Sequence, residues 1–289
     1  MAPRSVLISG TSTGIGAACV ARLAAEGWRV YAGVRKEADA DRLTADVQGD
    51  VVPVILDVTN ASHIASVLAR VEDDVGQLEG LVNNAGVGQG GPIELLGDQD
   101  WQSTFDVNFF GLVALTREAF PLVRRGEGRF VHIGSIAGRV GGGGLGPYTS
   151  SKHAVEGFNW ALREELRRSD MSSSVVEPGS IATAIWEKGD DTLDQLEARL
   201  DAVSAERYRH LVDATRGFIA DGRQRGIDPD KVAQAVEHAL TARRPRARYL
   251  VGADARIIGT VVTRFPDRAR EAALALSNRL MARKGRKLR

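Results

Sequence analysis

One cysteine, Cys19, stands alone among 289 residues. That excludes a disulfide framework and a cysteine-built zinc site, and makes a reducing interior the natural setting. No stretch approaches the ~20 consecutive apolar residues of a membrane span. The first apolar run, Val6-Leu7-Ile8, is too short for a signal-peptide core and lacks a cleavage pattern. Lys and Arg number 38 against 37 Asp and Glu, a balance that argues against bulk nucleic-acid binding. The histidines, at positions 63, 132, 153, 210 and 238, have no metal-ligand spacing, so no metal is expected. Also missing are a Pro-, Gly- or Ser-rich linker and any internal repeat. A cytoplasmic protein built on one large core is the expectation, with no covalent staple needed.

What is present is alternation. Short β-branched runs at residues 5–9, 29–33, 51–56, 78–83, 128–133, 173–177 and 248–251 read as strands. Between them, residues 14–26, 37–47, 61–75, 98–123, 148–168 and 229–242 carry apolar side chains at helical spacing. Strands joined by helix-length connections need parallel crossovers, and nearly continuous apolar strands suit a sheet covered on both faces. The expected fold is α/β: a doubly wound, Rossmann-type parallel sheet of seven strands, a single domain over residues 1–252. Residues 185–226 are charged and helical in pattern, and are expected to form a substrate lid inserted after the sixth strand. Residues 253–289 read as a helical extension with a basic end.

Ser9-Gly10-Thr11-Ser12-Thr13-Gly14-Ile15-Gly16 follows the first strand and opens the first helix. Gly10 suits a tight turn, Gly14 lets the backbone approach a pyrophosphate, and Gly16 permits close packing of helix on strand. The free amides and positive end of that helix would face phosphates. The spacing differs from G-x-G-x-x-G, and no Lys-Ser/Thr follows as a P-loop requires. A plain strand-to-helix turn is the competing reading. The second strand ends Gly33-Val34-Arg35-Lys36, where NAD enzymes commonly carry an acid for the ribose hydroxyls. With that acid missing and Arg35 in place, NADP(H) is favoured over NAD(H). Asp57, in Leu56-Asp57-Val58-Thr59, is placed either to accept from an adenine amino group or to cap the following helix.

Tyr148 and Lys152 lie four residues apart in Pro147-Tyr148-Thr149-Ser150-Ser151-Lys152, so a helix puts them on one face. An ordinary phenol ionises near pH ~10. A neighbouring ammonium favours the phenolate and lowers that value, giving a proton donor and acceptor usable near neutral pH. Ser135 sits a short stretch upstream, after the fifth strand. Beside a dinucleotide turn, these residues predict hydride transfer. Taken singly, each has a plain structural reading: a packed tyrosine ring, a solvated lysine, a serine ending its strand.

Together the motifs resemble those of the short-chain dehydrogenase/reductase family, of the single-domain type. Asn83-Asn84-Ala85-Gly86 after the fourth strand, Asn108 in Val107-Asn108-Phe109-Phe110-Gly111, Ser135, Tyr148-x-x-x-Lys152 and Pro178-Gly179-Ser180-Ile181-Ala182-Thr183 fall in the family's order and at its separations. Val30-Tyr31-Ala32-Gly33-Val34-Arg35, with residues 148–158 and 176–183, is most similar to hydroxysteroid and retinol dehydrogenases. The resemblance implies that Tyr148 exchanges a proton with the substrate oxygen and Ser135 hydrogen-bonds that oxygen. Lys152 would lower the Tyr148 pKa and hold the nicotinamide ribose, and Asn108 would anchor a water linking Lys152 to solvent. The implied cofactor cradle is Gly10, Ser12, Thr13, Gly14, Ile15, Gly16, Arg35, Asp57, Val58, Asn84, Ala85, Gly86, Tyr148, Lys152, Pro178, Gly179, Ile181 and Thr183. Within it, Asn84 and Gly86 would line the adenosine side, and Ile181 and Thr183 the nicotinamide carboxamide. A homodimer or homotetramer is also implied, through the helices at 98–123 and 148–168.

Substrate choice is expected in residues 139–146, 88–96 and 185–226. Their Gly, Val, Ile and Leu, with Trp186, suit an apolar alcohol or ketone of steroid, retinoid or fatty-alcohol type. The glycines at 141–144 read as a flexible loop beside the site. Arg283, Lys284, Arg286, Lys287 and Arg289, beside the apolar stripe at 272–276, are candidates for touching an anionic membrane surface. A frayed, soluble end is the expectation. Two other functions compete. A dinucleotide-sensing regulator without turnover should have lost the Tyr/Lys pair, and a sugar-nucleotide epimerase or dehydratase would need a larger C-terminal domain.

Overall fold

In the computed structural model, which describes residues 3–88, 90–183 and 185–288, strand β1 (Ser5–Ser9) is buried along its whole length. Its alternate side chains build two cores. Val6 and Ile8 point to one face of the sheet and Leu7 to the other, as the two-residue period of a strand requires. The first face is covered by α1 (Gly14–Ala25) and α9 (Asp230–Thr241), through Val20, Leu23, Val232 and Val236. The second is covered by α3 (Ala61–Val75), α5 (Gly111–Arg125) and α6 (Gly146–Glu165), through Ile64, Val67, Leu115 and Leu162. Cys19 is buried in the first core, and burial raises its thiol to about 12, so it is an inert packing residue.

Six more strands complete the sheet: β2 (Arg29–Val34), β3 (Val51–Ile55), β4 (Gly80–Asn83), β5 (Arg129–Ile133), β6 (Ser172–Pro178) and β7 (Arg248–Val251). Their order is β3-β2-β1-β4-β5-β6-β7, and every pairing is parallel. α2 (Glu37–Asp46) links β2 to β3. The winding reverses between β1 and β4. In such sheets the crevice at the C-terminal strand ends, at that reversal, is where ligands bind. The doubly wound, seven-stranded single domain expected from the alternation is the architecture observed.

Three features depart from expectation. The helix anticipated at 98–123 is two, α4 (Asp98–Phe105) and α5, joined by a π-type turn at Asp106–Phe110 in which Asn108 is buried. The insertion at 185–226 is also two helices, α7 (Ile185–Arg199) and α8 (Ala202–Arg225). Asp201 starts the second by accepting from the Ser204 amide at 2.7 Å. The C-terminal end is not frayed: α10 (Ala253–Thr260) packs on β7, and α11 (Asp267–Arg286) lies along α8. Lys284 pairs with Asp221 at 2.7 Å and Arg286 with Asp213 at 3.6 Å, so two of the basic residues face α8. Among the described residues no helix is long and apolar enough to cross a membrane, and no cluster of side chains suits a metal ion.

Candidate active site

α6 opens with Pro147 in its first turn, where a missing N–H costs nothing. One turn apart on it come Tyr148 and Lys152. Lys152 is buried, and its Nζ donates to the carbonyl of Ile133, the last residue of β5, at 2.8 Å. Ser135 follows two residues later. Its Oγ accepts from the Ala137 amide at 3.1 Å, and its hydroxyl is hydrogen-bonded to that of Tyr148. Nζ of Lys152 stands 5.9 Å from the centre of the half-buried Tyr148 ring. The three side chains expected to catalyse therefore meet at the end of one strand.

The electrostatics differ from expectation. Burial raises the Tyr148 pKa, and the Ser135 hydrogen bond opposes that rise. The Lys152 ammonium itself is directed to the Ile133 carbonyl, 5.9 Å from the centre of the Tyr148 ring. Burial also pushes Lys152 down to about 8, with the Glu156 carboxylate working against the fall.

Asn108 enters the same region from the π-type turn. Its Oδ1 accepts from the Val87 amide at 2.8 Å, while Nδ2 donates to the Val87 carbonyl at 2.9 Å and to Ser151 Oγ at 3.1 Å. Both amide hydrogens are taken. The side chain thus braces the loop after β4 against α6.

At the nucleotide end, Gly10 and Gly14 have positive φ values, 71° and 61°. A Cβ on Gly10 would lie 2.7 Å from Ala85 Cα, and one on Gly16 would overlap the Gly10 carbonyl. Asn84 Nδ2 donates to the carbonyls of Ser9 and Gly10 at 3.0 and 2.8 Å, so Asn84 and Ala85 support the turn from β4. Ser12 is half-buried and Thr13 exposed. Thr13 precedes α1 without a side-chain cap, which leaves the first amides of the helix, at Gly14, Ile15 and Gly16, available as donors. A glycine cradle closed by backbone contacts, with unpaired helix amides, fits the pyrophosphate of a dinucleotide.

Arg35 is exposed just beyond β2. Burial works against ionisation of Asp57, but the Thr59 hydroxyl and amide and the nearby Arg35 guanidinium hold its carboxyl below the usual range. The helix-capping alternative for Asp57 fails. Asn60 caps α3, accepting from the amides of Ser62 and His63 at 2.9 and 3.2 Å. Val58 is buried against Gly111, in the core. Gly86 lies beside Lys152: a Cβ there would be 3.7 Å from Nζ. That puts it at the catalytic end and not on the adenosine side.

Pro178 ends β6, and Gly179 presses on Asp254 at the start of α10. Asp254 Oδ2 accepts from the Ser180 amide at 2.7 Å. Sequence reasoning missed this residue; a lone acid at a helix start gives no sign of a partner 74 positions away. Ile181 is buried and bridged to Ile227. Thr183 faces the glycine turn, its Cγ2 3.0 Å from where a Gly14 Cβ would be. Across the site, the three expected substrate segments also meet. The Gly91 amide donates to the Gly144 carbonyl at 2.7 Å, Gly143 lies against Leu211 of α8, and Gly91 against Leu196 of α7. Trp186 is not an open wall. Its Nε1 donates to the Ile181 carbonyl at 2.6 Å and its ring packs on Gly222, within the small core between α7 and α8.

A sequence profile described as short chain dehydrogenase matches residues 4–194. Bovine 17-beta-hydroxysteroid dehydrogenase type 6 is 34% identical over 268 residues, covering 90% of this chain and 84% of that protein. Mouse retinol dehydrogenase 16 is 33% identical over 272 residues, again covering 90% and 84%. Among solved structures, a short chain dehydrogenase/reductase from Burkholderia phymatum in complex with NAD superposes with a TM-score of 0.76 at 25% identity, over 95% of each chain. A short chain dehydrogenase from Burkholderia cenocepacia in complex with NADP gives 0.71 at 25% identity, over 94% of this chain and 97% of that one. Fold, motif order and relatives agree: the chain belongs to the short-chain dehydrogenase/reductase family, on the hydroxysteroid and retinol dehydrogenase branch, and is an NAD(P)-dependent oxidoreductase.

Proposed function

We propose that the protein interconverts an apolar primary or secondary alcohol and its aldehyde or ketone, with NADP(H) favoured over NAD(H). The observation that carries this reading is the meeting of Ser135, Tyr148 and Lys152 at the end of β5. A nicotinamide dinucleotide bound in the crevice supplies or takes up the hydride. The chain's own residues manage the oxygen and its proton. Ser135 donates to the substrate oxygen, and the Tyr148 phenol gives that oxygen a proton on reduction and removes one on oxidation. Lys152 is the cation beside the phenolate that reduction leaves behind. Asn108 keeps the Val87 loop and α6 in register for this step. Along the cradle, the amides at Gly14, Ile15 and Gly16 face phosphate, Asp57 the adenine, and Arg35 a 2′-phosphate. Leu145, Leu196 and Leu211, gathered around the glycine loops, favour an apolar substrate.

Phe110 on the π-type turn and Trp160 on α6, 53% and 52% exposed, lie in the two segments through which a homodimer or homotetramer is expected. Light scattering on the purified chain would count the subunits. The chemistry is tested by Tyr148→Phe. Turnover should fall by roughly 10²-fold or more, while coenzyme affinity changes little. Full activity in that variant would refute the assignment. Wild-type protein that binds coenzyme yet turns over no alcohol or ketone across a broad panel would favour the non-catalytic dinucleotide sensor instead. Activity confined to small polar sugars would refute the apolar pocket.

A further inference from the structure

Behind the catalytic turn of α6 lies a buried charge cluster that the proposed chemistry leaves unused. Glu156, one turn beyond Lys152, is 8% exposed, and Glu177 on β6 is wholly buried. Arg248, the first residue of β7, holds both. Its Nη2 donates to Glu156 Oε2 at 2.6 Å, and its Nε donates to Glu177 Oε1. Arg139 approaches Glu177 Oε2 at 3.8 Å. Glu177 thus has a guanidinium near each oxygen, whereas Glu156 has a guanidinium on one. Its other oxygen, Oε1, is buried without a hydrogen bond. That oxygen lies against Gly134, where a Cβ would be 3.3 Å from it. The residue before Gly134 is Ile133, whose carbonyl accepts from Lys152. The unpartnered carboxylate oxygen and the buried ammonium therefore meet neighbouring residues at the end of β5.

An ammonium removed from water loses far more than one carbonyl returns, and buried charges persist when an opposite charge answers them. We infer that Glu156, held in place by Arg248, is a positioning residue whose carboxylate keeps Lys152 charged in its buried slot. The inference rests on reading Lys152 as part of the catalytic centre. The other groups placed near the Lys152 ammonium are neutral: the Ile133 carbonyl, the Tyr148 ring and Gly86. Glu156 lies one helical turn beyond Lys152, pairs with Arg248 from β7, and has the carboxylate of Glu177 on β6 as a like-charged neighbour. Burial takes Lys152 down to about 8 and Glu156 opposes it. Removing a negative neighbour disfavours the protonated amine, so the midpoint must fall further and the site must lose its cation at lower pH.

The chain has six lysines, so selective 13Cε-lysine labelling gives a tractable NMR titration, with Lys152→Arg assigning the signal. Glu156→Gln keeps the shape and can still accept from Arg248. It should lower the Lys152 midpoint by about one pH unit, and move the alkaline limb of kcat/KM the same way. Glu156→Asp should recover part of the shift. An unmoved Lys152 midpoint in folded Glu156→Gln overturns the inference, as does lost turnover with an unmoved limb. Where the Gln variant does not fold, Glu156→Asp carries the test: a smaller downward shift supports the inference and no shift overturns it. The titration needs no turnover. An active Tyr148→Phe would therefore defeat the catalytic reading while leaving this result standing.

Discussion

Gly217 of α8 lies flat against the main chain of Met281 on α11, where a Cβ would overlap the carbonyl oxygen. Gly285 meets the carbonyl of Asp213 in the same way. α8 and the C-terminal helix thus touch backbone to backbone, an approach set by the small residues at the crossing. α8 also carries Leu211 to the glycine loop of the site. The C-terminal helix therefore braces the helix whose Leu211 meets that loop.

Gly217→Val and Gly285→Val should each force the two helices apart. The overpacking should cost about 1–3 kcal/mol, and the substrate KM should rise several-fold as Leu211 shifts. The proposed coenzyme cradle is built on the glycine turn after β1, which neither glycine touches, so coenzyme binding should hardly change. Thermal melts together with KM for both ligands decide it; equal increases in the two KM values would contradict the brace.

Arg35 governs coenzyme choice if it meets a 2′-phosphate. A charge-assisted hydrogen bond is worth about 1.5–3 kcal/mol, so Arg35→Ala should raise the KM for NADPH roughly tenfold or more and leave NADH nearly unaffected. Steady-state kinetics with both coenzymes provide the comparison. Equal loss would contradict the preference.

His132 sets part of the acid limit of stability. It is fully buried beside Asn83 and Phe158, and burial pushes its imidazole down to about 3. In the unfolded chain the ring titrates near ~6.5. Below that value the unfolded state takes up a proton that the native state refuses, so stability falls as pH drops toward 3, by up to ~1.4 kcal/mol per unit. His132→Phe should be about 1–2 kcal/mol less stable at pH 7.5, because Asn83 loses an acceptor, yet lose less between pH 6.5 and 4.5. Urea unfolding at several pH values measures both. Parallel slopes would move the acid lability to carboxylates held low in the native state, such as Asp57 and Asp230.

What the sequence made legible was whatever its local period encodes. Val6, Leu7 and Ile8 had to alternate between two cores, and Tyr148 and Lys152 had to share a helix face. Orientation was not encoded. The four-residue spacing places the Lys152 ammonium near the phenol but does not tell that it bonds to Ile133. Trp186 reads as apolar at helical spacing, which leaves open whether it lines a cavity or fills the space between α7 and α8; Gly222, which receives its ring, decides that from 36 residues away. Asp57 and Asn60 are both capable caps, and only the observed bonds choose between them. Long-range partners such as Glu156 with Arg248 arise from strand order, which no local pattern reveals.

Asp254 shows how far the site reaches beyond the family's motifs. Its Oδ2 holds the Ser180 amide and its Oδ1 the Ala255 amide at 2.8 Å, and its carboxylate fills the space where a side chain at Gly179 would sit. It fixes the segment from Pro178 to Thr183, which faces the glycine turn. Asp254→Ala leaves the Ser180 amide without its partner, at a cost of about 1–3 kcal/mol, and frees the segment to move. The coenzyme KM should therefore rise several-fold, with a smaller change in kcat, since Ser135, Tyr148 and Lys152 stand on other elements. Asp254→Asn, which retains a carbonyl acceptor, should recover most of the loss. Kinetics of the two variants separate this from general destabilisation: a folded Asp254→Ala protein with wild-type coenzyme KM would show that the segment is held in place without Asp254.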